Sequence, residues 1–257
     1  MKKNFLSMTI LVASTWMFLS ACGSNTGQNQ ALQAPGVALA DTTTVATKTE
    51  KEAEDDDDAQ ANNASGNQNG APNVSDATLS NLQAAYAGET TASAKYAAYY
   101  KKAQEEGLTQ IALLFKATSA SEQIHANNHR SVIEEMGGKV SAIKPAFTVK
   151  TTRENLADAI AGESYEIATM YPEFLSTANA ADNQLALTTF NYAFRTEQRH
   201  KLLYEKALAA LKANQLGTLA LQYFVCPTCG NTYDAPPPKR CRISMTDSER
   251  FVKINAV

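Results

Sequence analysis

One pattern occurs twice in this chain and restricts the fold more than any composition figure does. AGET (87–90) is followed by EQIH (122–125), and AGES (161–164) by EQRH (197–200). Glu89 and Glu122 lie 33 residues apart, Glu163 and Glu197 34. Turn signals fall midway in each pair, at Gly107 and near Ala181. In an antiparallel helical hairpin, positions equally far from the turn come level. The repeat therefore predicts two hairpins that each bring two glutamates and one histidine to one height.

The flanking segments read as helices. Asp76 to Glu106 is proline-free, rich in Ala, Leu, Tyr, Lys and Glu, and ends at Gly107. Leu108 to Met136 is a second such run, closed by Gly137 and Gly138. Thr151 and Glu154 form a capping box that opens a third helix, expected to reach about Ala181 with a kink at Pro172. A fourth runs from about Asp182 to Gln215. Helices of about 30 residues are ~45 Å long. The 139–151 connection, fully extended, spans ~45–50 Å, enough to run the length of a bundle. The fold class that follows is all-α: an antiparallel four-helix bundle with one long crossover, the ferritin-like arrangement, over residues 76–217.

Inside such a bundle, carboxylates and imidazoles at one level demand a cation. An unpaired buried carboxylate costs several kcal/mol, and several together could not stay ionised. Glu-x-x-His places both side chains on one helix face. One such motif arises by chance on a solvated helix, but two, each with a level AGE partner, do not. The pattern fits a pair of iron or manganese ions held in a helical bundle. The repeat breaks at one place: Glu166 follows Glu163 by three residues where Ala92 follows Glu89, which adds a fifth carboxylate. His129 stands one turn beyond His125 with no level partner and reads as a supporting residue rather than a ligand.

AGET, EQIHANNH, AGESYEIATMYP, EQRH and the later CPTCG together resemble the rubrerythrin family, over roughly residues 78–257. The resemblance implies two irons bound by Glu89, Glu122, His125, Glu163, Glu166, Glu197 and His200. It implies that one iron shifts between His125 and Glu166 with oxidation state, and that Tyr96 and Tyr171 hydrogen-bond ligand carboxylates. It further implies reduction of hydrogen peroxide to water. Electrons would then arrive through a rubredoxin-like Fe(Cys)4 module, usually near the partner subunit's di-iron site in a homodimer. The electron donor itself is not named by the residues. The rival reading is an iron-binding or iron-oxidising protein without peroxidase turnover. A di-iron hydroxylase is disfavoured, because it usually makes do without the carboxylate at Glu166.

The tail supports the rival. FVCPTCG…KRCRISM…FVKI over 221–257 is similar to a small rubredoxin-like β module with two knuckles. The second knuckle has Arg242, Ser244 and Met245 where the pattern has Pro, Cys and Gly. Cys226, Cys229 and Cys241 remain, with Ser244 as a harder oxygen donor. A Cys3Ser site for iron or zinc, a metal-free tail and a Cys226–Cys229 disulfide all stay open. An Fe(Cys)4 site is excluded by count.

The start of the chain is of another kind. Lys2, Lys3 and the apolar run Phe5–Leu19 read as a signal peptide over residues 1–21. LSAC resembles a lipoprotein signal in which Cys22 carries the lipid; an ordinary secretory signal is the alternative. Residues 22–75 are poor in large apolar residues, carry the acidic run EDDDD (54–58) and read as a disordered tether. The expected location is outside the cytoplasm, lipid-anchored to a bacterial membrane on the periplasmic side or the cell surface. The formal charge of −3 becomes −5 without the leader's two lysines, and no basic surface argues for nucleic acid.

Overall fold

The computed structural model describes residues 73–256. The leader, Cys22 and most of the tether lie outside the described residues. Helix α1 (Val74–Glu105) starts two residues before the expected position, because the Asn73 side chain accepts the Ser75 N–H and caps it. Gly107, at φ +72°, then turns the chain into α2 (Thr109–Glu135). An extended crossover leads to α3 (Thr152–Tyr165), opened by the complete Thr151–Glu154 capping box. α5 (Gln184–Lys212) is the last long helix. The four-helix arrangement with one long crossover is the architecture expected.

The third helix differs from its expectation. It is not one helix with a kink but three pieces: α3, a π-helical turn (Glu166–Met170) and α4 (Tyr171–Ala180). The Tyr171 N–H reaches back to the Glu166 carbonyl, a five-residue step. Pro172 has no N–H to give to the preceding turn, and its ring would press on a carbonyl there, so a widened turn relieves the clash. The inserted residue accounts for the 34-residue spacing of the second pair against 33 in the first. It also brings Tyr171, eight residues after Glu163, level with Tyr96, seven after Glu89.

Two apolar clusters fill the bundle. Tyr96, Tyr99, Phe115, Leu156, Leu203 and Tyr204 belong to one. Leu82, Ile133, Tyr171, Phe174 and Phe190 belong to the other. Along every long helix the glutamate ligand candidates fall between the two clusters. The bundle thus encloses a polar layer between two dry ones.

Residues after α5 form a three-stranded antiparallel sheet in the order β2-β1-β3, with β1 Tyr223–Val225, β2 Thr232–Tyr233 and β3 Val252–Ile254. This is the small β module expected at the tail. No described helix is long and apolar enough to cross a membrane.

Candidate metal centre

Glu89 projects from α1, Glu122 and His125 from α2, Glu163 from α3, and Glu197 and His200 from α5; each is at most 1 % exposed. They form two overlapping donor sets. Glu89, Glu122, His125 and Glu197 make one, and Glu122, Glu163, Glu197 and His200 the other, with ligand atoms within 4.8 Å of one another in each set. Glu122 and Glu197 are shared oxygen by oxygen. Nδ1 of His125 lies 3.0 Å from Glu122 Oε2 and 2.8 Å from Glu197 Oε1. Nδ1 of His200 lies 3.1 Å from Glu122 Oε1 and 2.7 Å from Glu197 Oε2. Two carboxylates that each give one oxygen to each of two imidazole-bearing sets are placed to bridge two metal ions.

The donor atoms have no other use. Glu89 Oε2, both oxygens of Glu122 and Glu197, Glu163 Oε2, and Nδ1 of His125 and His200 are buried without a hydrogen-bond partner. Their mutual approaches lack hydrogen-bond geometry, so they face a common interior rather than pair. Native interiors rarely leave polar atoms so exposed to desolvation. Two divalent cations satisfy all of them, and mixed carboxylate and imidazole donors suit iron.

Both histidines are held from behind, and by the tail. The Cys229 carbonyl accepts from His125 Nε2 at 3.0 Å and from Thr196 Oγ1 at 3.0 Å. Thr232 Oγ1 donates to the Gly230 carbonyl, which leaves its lone pair for His200 Nε2 at 3.1 Å. Ser121 Oγ donates to the Gly230 carbonyl and Asn128 to that of Thr228. With Nε2 protonated on each ring, Nδ1 is bare and faces the cage. The module therefore packs on the bundle of its own chain.

Two tyrosines hold the carboxylates reciprocally across the repeat. Tyr96 of α1 donates to Glu163 Oε1 at 2.8 Å, and Tyr171 of α4 donates to Glu89 Oε1. Glu166 lies on the π turn, partly buried, and outside both donor sets. Burial pushes its carboxyl well above the usual range, and the charges of Glu89, Glu163 and Glu197 add to this. His129 is buried outside both sets, between Tyr171 and Thr189.

In the tail, Cys226, Cys229 and Cys241 are buried free thiols and no disulfide joins them. Cys229 and Cys241 Sγ lie 3.4 Å apart, and Cys226 Sγ lies 3.3 Å from Ser244 Oγ. The second knuckle keeps the shape of the first. Cys226 N–H to Asn231 O and Gly230 N–H to Cys226 O recur as Cys241 N–H to Thr246 O and Met245 N–H to Cys241 O. Met245 takes the left-handed conformation, φ +60°, that Gly230 holds at φ +76°. A non-glycine residue there costs about 1–2 kcal/mol, and the exposed Met245 side chain has room for it.

Comparison with known proteins agrees with this geometry. The rubrerythrin family model matches residues 80–208. The chain belongs to the rubrerythrin family. Rubrerythrin-2 of Clostridium acetobutylicum is 34 % identical over 171 residues, covering 66 % of this chain and 92 % of that protein. Nigerythrin of Nitratidesulfovibrio vulgaris is 35 % identical over 175 residues, covering 68 % and 85 %. A solved nigerythrin structure described as fully reduced, all ferrous, superposes with a TM-score of 0.60 at 33 % identity, covering 68 % of this chain and 86 % of that one. A Desulfovibrio desulfuricans bacterioferritin, at 22 % identity and a TM-score of 0.52, shares the fold. As a rubrerythrin, the chain is a di-iron oxidoreductase of oxidative-stress defence, and the cage holds two donor sets that could each take an ion.

Without metal this cage opposes folding as pH rises. Burial pushes Glu89 up to about 7 from 4.5, with Glu197 and Glu122 adding to the rise against His125. The folded state then keeps a proton that the unfolded state releases, so stability falls between pH 4.5 and 7. Glu89 alone removes about 3 kcal/mol across that window. The histidines act in the same direction. Burial would lower His125 and His200, but the carboxylates, Glu197 chief for His125 and Glu122 for His200, raise both well above 6.5. Their contribution is complete below 6.5 and is lost as pH climbs through the raised values. Thermal melts of the metal-free protein are expected to fall from pH 5 to pH 7.5, with the gain on metal loading largest at pH 7.5. Parallel, pH-independent melts of the two forms would contradict this.

Proposed function

We propose that the chain is a non-haem di-iron peroxidase that reduces hydrogen peroxide to water. The observation that carries this is the pair of donor sets sharing Glu122 and Glu197, with Glu166 beside them as a further anion. When bound, two ferrous ions would supply one electron each and Lewis acidity toward the peroxide. The residues of the chain do the rest. Glu122 and Glu197 fix the spacing of the pair. Tyr96 and Tyr171 keep the terminal carboxylates in place. The Nε2 hydrogen bonds of His125 and His200 present Nδ1 to the metals. The apolar clusters on either side keep bulk water out. Glu166, beside the two donor sets, would offer a further anion to offset the charge of an oxidised pair.

The reading extends to the rest of the chain. Cys22, after the short apolar leader, is the site of lipid attachment, and the protein works anchored outside the cytoplasm. The chain pairs as a homodimer. Cys226, Cys229, Cys241 and Ser244 hold one iron or zinc ion, and with iron bound, electrons enter there. A donor outside the cytoplasm must supply them.

Stopped-flow oxidation of the ferrous protein tests the reaction. Peroxide is expected to oxidise it far faster than dioxygen, with the phase abolished in Glu122→Ala. Equal rates with both oxidants, or peroxide consumption unchanged in Glu122→Ala, would reject it. A second reading, iron storage or oxidation without turnover, is favoured by Ser244, which weakens the tail as an electron entry. It predicts iron loading beyond two per cage. Ser244→Cys separates the states of the tail: it is expected to gain the visible absorption of an Fe(Cys)4 centre that the wild type lacks. A wild-type spectrum already identical to the variant's would contradict the oxygen-ligated site.

A further inference from the structure

Peroxide reduction, the reaction proposed above, consumes protons as well as electrons: H2O2 + 2 e− + 2 H+ gives two H2O. The electrons come from the ferrous pair. The protons must reach a cage whose ligands are at most 1 % exposed. We propose that they enter along a directed hydrogen-bond wire, Thr189–His129–Tyr171–Glu89, from a cleft on the face between α2 and α5.

Each link is in place. Thr189 Oγ1 lies 2.9 Å from His129 Nδ1. His129 Nε2 lies 3.2 Å from the Tyr171 hydroxyl. That hydroxyl donates to Glu89 Oε1. His129 and Tyr171 are fully buried and Thr189 is 4 % exposed. Thr189 also lines an open cleft of about 210 Å3 with Asn128, Ser131, Thr188 and Tyr192. The wire therefore runs from a solvent-reached wall to a metal-binding carboxylate with no gap.

The direction follows from proton counting. A ligating carboxylate only accepts, so Tyr171 spends its single proton on Glu89. The tyrosine oxygen must then accept, so His129 carries its proton on Nε2. Nδ1 is left as the acceptor for the Thr189 hydroxyl. Every donor points toward the cage. A proton taken up at Thr189 shifts the next from Thr189 to Nδ1, that from Nε2 to Tyr171, and that from Tyr171 to Glu89 Oε1, which hands it to the reacting oxygen. No group in the wire changes its proton count. Hydroxyl rotation resets Thr189 and Tyr171, but one pass leaves His129 as the Nδ1–H tautomer, so the ring must exchange its protons with water to regain Nε2–H before a second pass supplies the second proton of the peroxide. Burial, and then His125, also push His129 down to about 3, so the ring starts neutral.

The other half of the repeat shows that this is not a by-product of packing. Aligning His125 with His200 puts Tyr204 where His129 stands. Tyr204 donates to Thr118 Oγ1 at 2.6 Å, and Thr118 gives its proton to the carbonyls of Leu114 and Phe115. That chain ends on backbone. Tyr96, the counterpart of Tyr171, is walled in by the rings of Tyr99, Phe115 and Tyr204. Of the two halves of the repeat, the His129 side connects a ligand carboxylate to a cleft, whereas the Tyr204 side ends on backbone.

Two measurements test the wire. Nitrogen-15 NMR of the zinc-loaded protein is expected to show His129 as the Nε2–H tautomer, converting to a mixed population in Thr189→Val. A predominant Nδ1–H form in the wild type would overturn the proposal. The second is single-turnover oxidation of the ferrous protein in H2O and D2O, with whichever oxidant proves competent. Thr189→Val is expected to be at least about 10-fold slower, with a larger solvent isotope effect and unchanged iron content. Thr189→Ser is expected to restore the rate. A Thr189→Val protein with the wild-type rate and isotope effect would overturn the wire. Failure of peroxide as oxidant, with the wire's signatures intact under dioxygen, would overturn only the peroxidase reading.

Discussion

Glu197→Ala is expected to empty both metal positions at once. Glu197 is completely buried, and its two oxygens face the two histidines at 2.8 and 2.7 Å. Burial alone would raise its carboxyl, yet His125 and His200 hold it below the ordinary range, which makes it the anion of the apo cage most ready for a cation. Alanine removes the shared bridge and leaves Glu122 as the only carboxylate common to the two donor sets. Breaking one partner out of a buried charge cluster costs about 3–5 kcal/mol, which corresponds to a loss of affinity of at least ~100-fold. Iron content after reconstitution should fall from two per cage to less than one. By contrast, Glu166→Ala removes a residue outside both donor sets and should retain both ferrous ions. Equilibrium iron titration of the two variants side by side checks this. Two irons retained in Glu197→Ala would mean that the shared-carboxylate geometry is wrong.

The second large effect is expected far along the sequence from any bundle ligand. Gly230 sits at φ +76°, and a Cβ added there would come closer than 3.0 Å to His125 Nε2 and Ser121 Oγ. Neither neighbour can withdraw, since His125 is fixed by the cage and Ser121 by its bond to the Gly230 carbonyl. Gly230→Ala combines left-handed strain of about 1–2 kcal/mol with overpacking of about 1–3 kcal/mol. The module is expected to lift from the bundle and release the Nε2 partners of both histidines. Loss of such partners lowers metal affinity by roughly 10- to 100-fold. Calorimetry and iron titration of Gly230→Ala measure the two parts. Wild-type values in both would show that the module does not rest on these histidines.

Much of this was legible in the sequence because helices convert spacing into position. The AGE and Glu-x-x-His repeats placed Glu89, Glu122, Glu163 and Glu197 at one level without any knowledge of packing. The 33 against 34 spacing already contained the π turn, but one extra residue in a long helix has no visible signature beside Pro172. Glu166 was legible as an extra carboxylate, whereas its position outside both donor sets depends on that turn. The supports of the imidazoles were not legible. Thr232 reaches His200 from a distant segment that no periodicity marks, and Ser121 and Thr196, though they hold the same place in the repeat, act on tail carbonyls whose position no spacing reveals. Met245 keeps the left-handed backbone of the missing glycine, because its side chain is exposed and meets no neighbour that forbids it.

The most direct test of the account is the stoichiometry of a single turnover. The anaerobic protein is loaded with ferrous iron to two equivalents per cage and mixed with increasing peroxide. The account predicts that oxidation is complete at one peroxide per two irons, that no dioxygen is evolved, and that the iron stays bound at two per cage on re-reduction. Iron continuing to accumulate past two per cage, or an end point well above one peroxide per pair, would contradict it.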